Sequence, residues 1–361
     1  MAKFTDLFDD VTKYATKIPS CEYLGNGLYP IIDQGQKYIS GYTDKKEGLY
    51  TDVPAIIFGD HTRVIKYVDF PCFLGADGVK LLKSDRISNH KFLYYALLNV
   101  HIPDTGYNRH FKWLKEAEIT IPSEIEQNHI VDVLDKLTDL TVLRKKQLEK
   151  LDELVKSRFI EMFGDPVANS KNWNISPLLS IGYCKNGMNF HSGDNGIDIR
   201  CLGVADFKNL SVIDGTENLP IVSLNELPSK DSMLKDGDIV FVRSNGNKAL
   251  VGRCLLVYPH NIPTTYSGFC IRFRLTSKQV MPEYLLRVLK FDSIRKKMMG
   301  RGANIQNLNQ QILASLDIPI PPLDLQNQFA EFVKQTDKSK YLATLCIKLL
   351  GNERMMFCDK L

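Results

Sequence analysis

Apolar residues along this chain change period at a few defined places. In residues 1–117 they come in short runs broken by Gly, Asp and Asn, and Leu28–Ile32, Ala55–Phe58 and Val64–Val68 read as strands. Ser88–Asn99 reads as a short helix, with Ser88 as its cap and Phe92, Leu93, Tyr95, Ala96 and Leu97 as its apolar content. From Ser123 the period becomes helical and stays so to Met162. Ile130, Val133, Leu137 and Leu140 alternate by three and four, Arg144 and Gln147 interrupt, and Leu151 and Leu154 resume the row. That pattern predicts a coiled-coil seam with a polar registry point. Ser123 and Glu126 form a capping box at its start, and Gly164-Asp165-Pro166 ends it. At about 1.5 Å per residue, such a helix runs on the order of 60 Å.

The plan then repeats. Ile197–Val204, Asp238–Arg243, Gly252–Val257 and Phe269–Leu275 read as strands, and Pro282–Met299 as a helix in the place of Ser88–Asn99. Residues 118–134, EITIPSEIEQNHIVDVL, align without a gap to residues 317–333, DIPIPPLDLQNQFAEFV. Ile119, Ile121, Pro122, Gln127 and Asn128 fall on Ile318, Ile320, Pro321, Gln326 and Asn327, 199 positions later. Each copy is a short strand, a proline and a long helix. The second helix carries Phe329, Phe332, Thr336, Ala343, Cys346, Leu350 and Phe357 on its seam. Solenoid repeats run about 20–50 residues, so this period marks a duplicated domain-plus-helix unit. Two such units in series place the helices antiparallel, with one globular domain at each end. The expected division is 1–122 and 164–321 as globular domains, with 123–163 and 322–361 as helices.

Composition adds limits. A length of 361 residues, 44% apolar and 24% charged, fits a soluble protein of two or three domains. No apolar run is long enough for a membrane span, and the amino terminus does not read as a signal peptide. Eight cysteines without a C-x-x-C pair argue against a zinc site and for buried reduced thiols in a cytoplasmic protein. The net charge of +4 is uneven: residues 167–316 carry 18 basic and 11 acidic side chains, while residues 123–166 carry 7 and 10. That asymmetry implies a polyanion partner for the globular parts and protein partners for the helices.

Catalytic signatures are missing. There is no P-loop, no G-x-G-x-x-G after a strand, and no Asn/Asp/Ser-Pro-Pro-aromatic motif; Ile320-Pro321-Pro322-Leu323 lacks both flanks. Pro103-Asp104 has no D/E-x-K close behind it, and the seven histidines stand apart. The chain reads as a reader and scaffold, with no cofactor. Candidate DNA contacts in the first domain are Arg109, His110, Lys112 and Lys115, interleaved with Phe111 and Trp113. In a helix, Arg109, Lys112 and Lys115 would share a face; the alternative is a solvated basic surface over a buried Trp. In the second domain they are Arg243, Ser244, Asn245, Asn247, Lys248 and Arg253, followed by the Tyr266–Arg272 stretch, and Arg301 and Asn304 in a further loop. Hairpin-turn chemistry accounts equally well for any one of these loops.

Several of these segments resemble the specificity (S) subunit of a Type I restriction-modification enzyme. They are Ile119-Thr120-Ile121-Pro122 with Glu126-Gln127, the Leu151–Pro166 helix exit through Met162-Phe163-Gly164-Asp165-Pro166, Arg243-Ser244-Asn245-Gly246 through Val251-Gly252-Arg253, and Ile318–Leu323 with Gln326. The resemblance covers the whole chain. It implies an α+β protein with two globular target-recognition domains separated by two long antiparallel helices forming a coiled coil. Each domain would read one half of a split site in double-stranded DNA. Methyltransferase (M) subunits would dock on the helices and modify adenine, and motor-nuclease (R) subunits would join to cut unmodified DNA in phage defence. The second seam departs by being less leucine-rich. Two other readings stand beside this one: a self-contained restriction or methylation enzyme with an unrecognised site, and a coiled-coil adaptor that binds only proteins. If the helices act as a ruler, inserting four residues near Arg144 adds about 6 Å of helix. With about 3.4 Å per base pair, the gap in the methylated motif should lengthen by about one or two base pairs. An active variant with an unchanged gap overturns the ruler.

Overall fold

The structure, a computed structural model, describes residues 1–75, 78–190, 193–207, 210–299 and 307–358. In the first half the chain runs β1 (Ala2–Lys3), α1 (Phe4–Leu7), β2 (Asp9–Asp10), β3 (Lys17–Ile18), β4 (Tyr29–Ile32) and β5 (Gly41–Thr43). It continues through β6 (Ala55–Gly59), β7 (Ile65–Val68), β8 (Phe73–Gly75), β9 (Val79–Lys83), α2 (His90–Leu98), α3 (Phe111–Lys115), β10 (Glu118–Ile119) and α4 (Glu124–Phe163). The second half has β11 (Asn174–Pro177), β12 (Gly182–Asn186), β13 (Ile197–Leu202), β14 (Val212–Asp214), β15 (Ile221–Leu224), β16 (Asp238–Val242) and β17 (Cys254–Tyr258). Then come β18 (Thr264–Tyr266), β19 (Cys270–Leu275), α5 (Pro282–Lys290), α6 (Asp292–Met299), α7 (Gln310–Ala314), β20 (Asp317–Ile320) and α8 (Leu323–Cys358). Two compact units form, Met1–Leu148 with Leu342–Leu361 and Glu149–Tyr341, so each long helix contributes to both.

The duplication extends to strand order, apart from β3, which adds to β8 in the first unit, and β14, which adds to β17 in the second. An antiparallel sheet β2-β9-β6-β7 in one unit matches β12-β19-β16-β17 in the other, where β14 extends it. A second sheet pairs β4 antiparallel with β5 and parallel with β8; β13 pairs with β15 and β18 in the same senses. The pairs β1·β10 and β11·β20 hold the start of each globular part against the strand that precedes its long helix. The 199-residue spacing reaches back to the short helices, since Phe111–Lys115 falls on Gln310–Ala314. Central strands are buried on both faces, which explains their continuous apolar runs. On β6, Ile56 and Phe58 pack with Phe92, Leu93 and Leu97 of α2, while Ile57 packs the other way with Ile32, Leu74 and Leu81. On β16, Ile239 and Phe241 face Leu285 and Leu289 of α5, while Val240 and Val242 face Leu202 and Tyr266. Each such side chain contributes roughly 1.5–3 kcal/mol by leaving water.

Some expected boundaries move. The cap of α2 is Asn89, whose Oδ1 accepts the Phe92 N–H at 2.9 Å, and Ser88 lies outside it. Pro282–Met299 is two helices, because Phe291 is extended (ψ 139°) and its ring packs 5.6 Å from that of Phe159. The capping box at Ser123 forms as expected: the Ser123 N–H donates to Glu126 at 3.0 Å and the Glu126 N–H to Ser123 Oγ at 3.4 Å. At the far end Gly164 takes φ +78° and its N–H closes on the Ile160 carbonyl, while Trp173 Nε1 caps the Phe163 carbonyl at 3.0 Å.

The long helices run antiparallel within each unit. His129 meets Phe357 in the first; Asp152 meets Lys340 at 2.6 Å and Phe159 meets Phe329 in the second. Partners thus descend α8 as they ascend α4. The inward row of α4 is Gln127, Ile130, Leu134, Leu137, Thr141, Arg144, Leu148, Leu151 and Val155. Half of the expected seam is therefore displaced by one residue: Leu134 and Val155 are buried, whereas Leu140 and Leu154 are 44% and 48% exposed. At one step Thr141 turns inward in place of Leu140, and at the other two, Val133/Leu134 and Leu154/Val155, an apolar residue stands on both sides, so apolar spacing alone does not choose. A buried glutamine does. Gln127 Nε2 donates to the Pro122 carbonyl at 3.0 Å, and Gln326 Nε2 donates to the Pro321 carbonyl at 2.8 Å. Each glutamine points inward, clamps the proline ahead of its helix and sets the phase of the later turns. On α8, Phe329, Thr336, Ala343, Leu350 and Phe357 keep their expected places, and Val333 replaces Phe332 as the buried residue.

Among the described residues no helix is long and apolar enough to cross a membrane, and no group of three or more His, Cys, Asp or Glu could hold a metal. Burial pushes the thiols of Cys72, Cys201 and Cys270 up to about 12, whereas Cys21 is exposed. Gln326 makes two further bonds, to the Gln279 carbonyl at 2.9 Å and from the Met281 N–H at 2.8 Å. Each buried group left unpaired costs about 1–3 kcal/mol. Gln326→Ala should therefore destabilise its unit by more than Gln127→Ala destabilises the other, as measured by urea unfolding. Equal costs would mean that these bonds do not govern the junction.

Candidate nucleic-acid interface

In the first unit a single aspartate organises the predicted contact segment. Asp60 follows β6 and is buried; its Oδ1 accepts the Phe111 N–H at 2.7 Å and so caps α3. Its carbonyl takes the His110 N–H at 2.8 Å and lies 3.0 Å from His110 Nδ1, whose other ring nitrogen is 3.3 Å from Thr105 Oγ1. His110 is accordingly 1% exposed and faces inward as a loop fastener, not outward as a DNA contact. Arg109, Lys112 and Lys115 are exposed. Lys115 lies over the Phe111 ring and Lys112 over Trp113, at 5.0 and 4.9 Å from the centroids. Arg109 precedes α3 and belongs to the loop, so the three cations do not share one helical face.

The loop before α3 rests on the β6–β7 turn. His61 stacks on Tyr107, with centroids 4.7 Å apart and planes 9° apart, and its Nδ1 lies 3.2 Å from the Asn108 carbonyl. Arg63 binds Asp104 at 2.8 Å and the Ile102 carbonyl at 3.3 Å.

In the second unit the polar loops also converge. Arg243 follows β16; its N–H donates to the Phe269 carbonyl at 2.8 Å, its carbonyl accepts the Leu308 N–H at 2.8 Å, and its Nη1 reaches the Gly268 carbonyl at 3.3 Å. Ser244 bridges to Asn307. Asn245 and Asn247 spend a side-chain oxygen on the turn, accepting the N–H of Asn247 at 2.8 Å and of Ala249 at 3.0 Å. Lys248 is exposed and Arg253 half-buried, each with interactions of its own. Phe269 stands 60% exposed beside Arg243. Arg301 and Asn304 lie outside the described residues.

These two clusters are one place in the repeated fold. Phe58 and Phe241 form the last β6·β7 and β16·β17 pairs, so Asp60 corresponds to Arg243 and His61 to Ser244. Asn108 and Asn307 are 199 positions apart, and each touches its partner from that turn. Sequence reading therefore found one half of this face in each unit: the loop before α3 in the first, the hairpin loop in the second. It missed His61, Arg63 and Tyr107. The alignment spacing does not reach back to β6 and β16, so only the ladder register reveals the equivalence of their turns.

The basic excess of the second unit is not all on this face. Arg272 is wholly buried, 3.2 Å from Asp231 and stacked over Tyr183, and Arg274 binds Asp238 at 2.7 and 2.8 Å. Burial opposes the Arg272 charge, yet bonds to Tyr266 and Tyr183 and the nearby Asp238 hold its pKa above the ordinary arginine value. The Tyr266–Arg272 stretch thus turns inward at its end.

Known proteins divide in the same way. The Type I restriction modification DNA specificity domain matches residues 3–153 and 171–345. A type I restriction enzyme StySPI specificity subunit from Salmonella potsdam is 29% identical over 236 residues, covering 60% of this chain and 50% of its own length. The chain thus spans about half the length of that relative. The EcoR124I/EcoR124II specificity subunit of Escherichia coli is 23% identical over 355 residues, covering 91% and 84%. A type I restriction-modification S subunit from M. genitalium superposes with a TM-score of 0.60 at 18% identity, covering 99% of this chain and 94% of that one. A second solved structure, from work on assembly of the type I R-M system, gives 0.58 at 15% identity, covering 99% and 96%. Both share this fold.

Replacing Asp60 by Ala should remove the α3 cap and orphan the Phe111 N–H, at a cost of about 1–2 kcal/mol. Asp60→Asn keeps the acceptor and should cost less. Hydrogen exchange at Phe111 is the check; equal protection in both variants would show that the cap is idle.

Proposed function

The chain belongs to the Type I restriction modification DNA specificity family, and on that premise we propose that it reads a bipartite target in double-stranded DNA, one half through each unit. The observation that carries this reading is the repeated loop pair, the β6–β7 turn with the loop before α3 and the β16–β17 loop with Asn307, which sits at one place in both copies of the fold. Residues 1–122 and 164–321 act as the recognition domains and residues 123–163 and 322–361 as the spacer. Arg109, Lys112 and Lys115 supply phosphate or base contacts in the first; Arg243, Ser244 and Lys248 supply them in the second. Adenine methylation and cleavage belong to separate M and R subunits, and the chain directs them without catalysis of its own. It works where chromosomal and invading DNA are found, in the cytoplasm.

Arg243 offers the sharpest test. Its backbone is held on both sides, so loss of the guanidinium should leave the fold intact. A bidentate arginine contact is worth about 1–3 kcal/mol of discrimination. Arg243→Ala in the complex with M subunits should weaken binding about tenfold or more at moderate salt and leave the melting temperature unchanged. Exchanging residues 164–321 for those of a relative should alter one half of the methylated motif only. A change in both halves, or methyl transfer by the purified chain alone, would overturn the proposal.

A further inference from the structure

The first unit carries an aromatic pair at its surface, an exposed Tyr107 against a half-buried His61. Tyr107 is 86% exposed and its ring stacks on His61. Around this pair the two loops are unusually constrained. Asp104 Oδ1 accepts the Gly106 N–H at 3.0 Å, Gly106 takes φ +74°, and the Asn108 N–H closes on the Gly106 carbonyl at 2.9 Å. Arg63 sits at φ +60°, a conformation that costs a non-glycine residue energy and persists where surrounding bonds over-determine it. Those bonds are its contacts with Asp104 and the Ile102 carbonyl. Thr62 Oγ1 donates to the Gln34 carbonyl at 2.6 Å, and the His61 N–H donates to Gln34 Oε1 at 3.2 Å. A Cβ at Gly78 would lie 2.7 Å from both His61 Cδ2 and Gln34 Nε2, so the platform beneath the imidazole is also close-fitting.

This arrangement sets the chemistry of the pair. The Asn108 carbonyl can only accept, so Nδ1 of a neutral His61 carries the proton and Nε2 is left as an acceptor with no protein partner among the described residues. An outward acceptor suits the exocyclic amino group of adenine or cytosine in the major groove. The Tyr107 ring beside it offers an apolar edge suited to a thymine methyl. Both side chains are stiffened in advance, so little freedom is lost on contact. Exposed Arg109 lies two residues on, placed for a phosphate. The second unit presents Ser244 at the equivalent position, with Phe269 nearby, so the same place in the fold carries different base-reading chemistry.

We propose that His61 and Tyr107 are specificity-determining residues for the half-site read by the first unit, with His61 Nε2 accepting from a base amino group. This rests on the DNA-reading function proposed above. The test uses the full complex with M subunits, reading the methylated motif from genomic DNA and affinity for duplexes substituted in either half. His61→Ala and Tyr107→Ala should relax the requirement at one or two positions of a single half-site and cost about tenfold in discrimination there. Tyr107→Phe keeps the ring and should retain the wild-type motif. If these variants leave the motif and affinities unchanged while Arg243→Ala still affects the other half, this assignment fails and DNA reading stands. Loss of methylation with Tyr107→Phe as well as Tyr107→Ala would make the hydroxyl, not the apolar ring edge, the required group and also overturn it. Wild-type complex that binds DNA without regard to sequence overturns the function itself.

Discussion

A glutamine amide buried at the root of each long helix is the contact on which the rest of the architecture turns. Gln127 and Gln326 each donate to the carbonyl of the proline five residues back, locking strand, proline and helix into one rigid corner. A helix repeats every 3.6 residues, so fixing one inward residue near its start fixes the facing of every later one. That is how Leu134, Leu148 and Val155 come to the seam of α4 while Leu140 and Leu154 turn out. The amide is an apt device for this. It costs free energy if buried unpaired, so the corner is satisfied only with the helix in one phase.

The corner also carries the seam into the globular cores. Val155, Phe159 and Phe163 at the end of α4 and Phe329 and Val333 near the start of α8 belong to the same apolar cluster as Leu285 and Leu289 of α5. Stacked and edge-on rings join Phe159 and Phe163 to Tyr284 and Phe329. The helices are therefore structural members of the domains, and the compact units cut across them rather than at their ends. The break at Phe291 belongs to the same packing, because a continuous helix would withdraw that ring from Phe159.

Duplication supplies two copies of one scaffold, and the copies differ in the turns that follow β6 and β16. Apart from β3 and β14, strand order and pairing sense are shared between the units, and the helices follow in the same order. At the turn after the second core strand, one copy has an aspartate turned inward to cap a helix and the other an arginine held at the surface. In α7 the cap comes instead from Asn309, whose side chain accepts the Ile312 N–H at 2.9 Å, which frees the Arg243 position for another use. A fold that keeps its ladders and varies its loops in this manner can change what it touches without changing how it stands.

By itself the sequence determined the duplication, the strand-proline-helix units, the two long helices and their antiparallel course. Those features are written in local period and in residues 199 apart. It did not determine the phase of the seam, the inward turn of His110, Arg272 and Arg274, or the presence of His61 and Tyr107 beside the loop before α3. Each of these depends on contacts that local period does not encode: Gln127 against the turn at Pro122, Asp60 against α3, Asp231 and Asp238 against β19, and the β6–β7 turn against Asn108. Hydrophobic period tells where a side chain could be buried, but equal apolar choices on neighbouring positions and charged residues in a mixed loop have no period to obey. Only the ladder register and the buried hydrogen bonds decide between them, because an unpaired buried polar group or charge costs more than the packing differences among the alternatives.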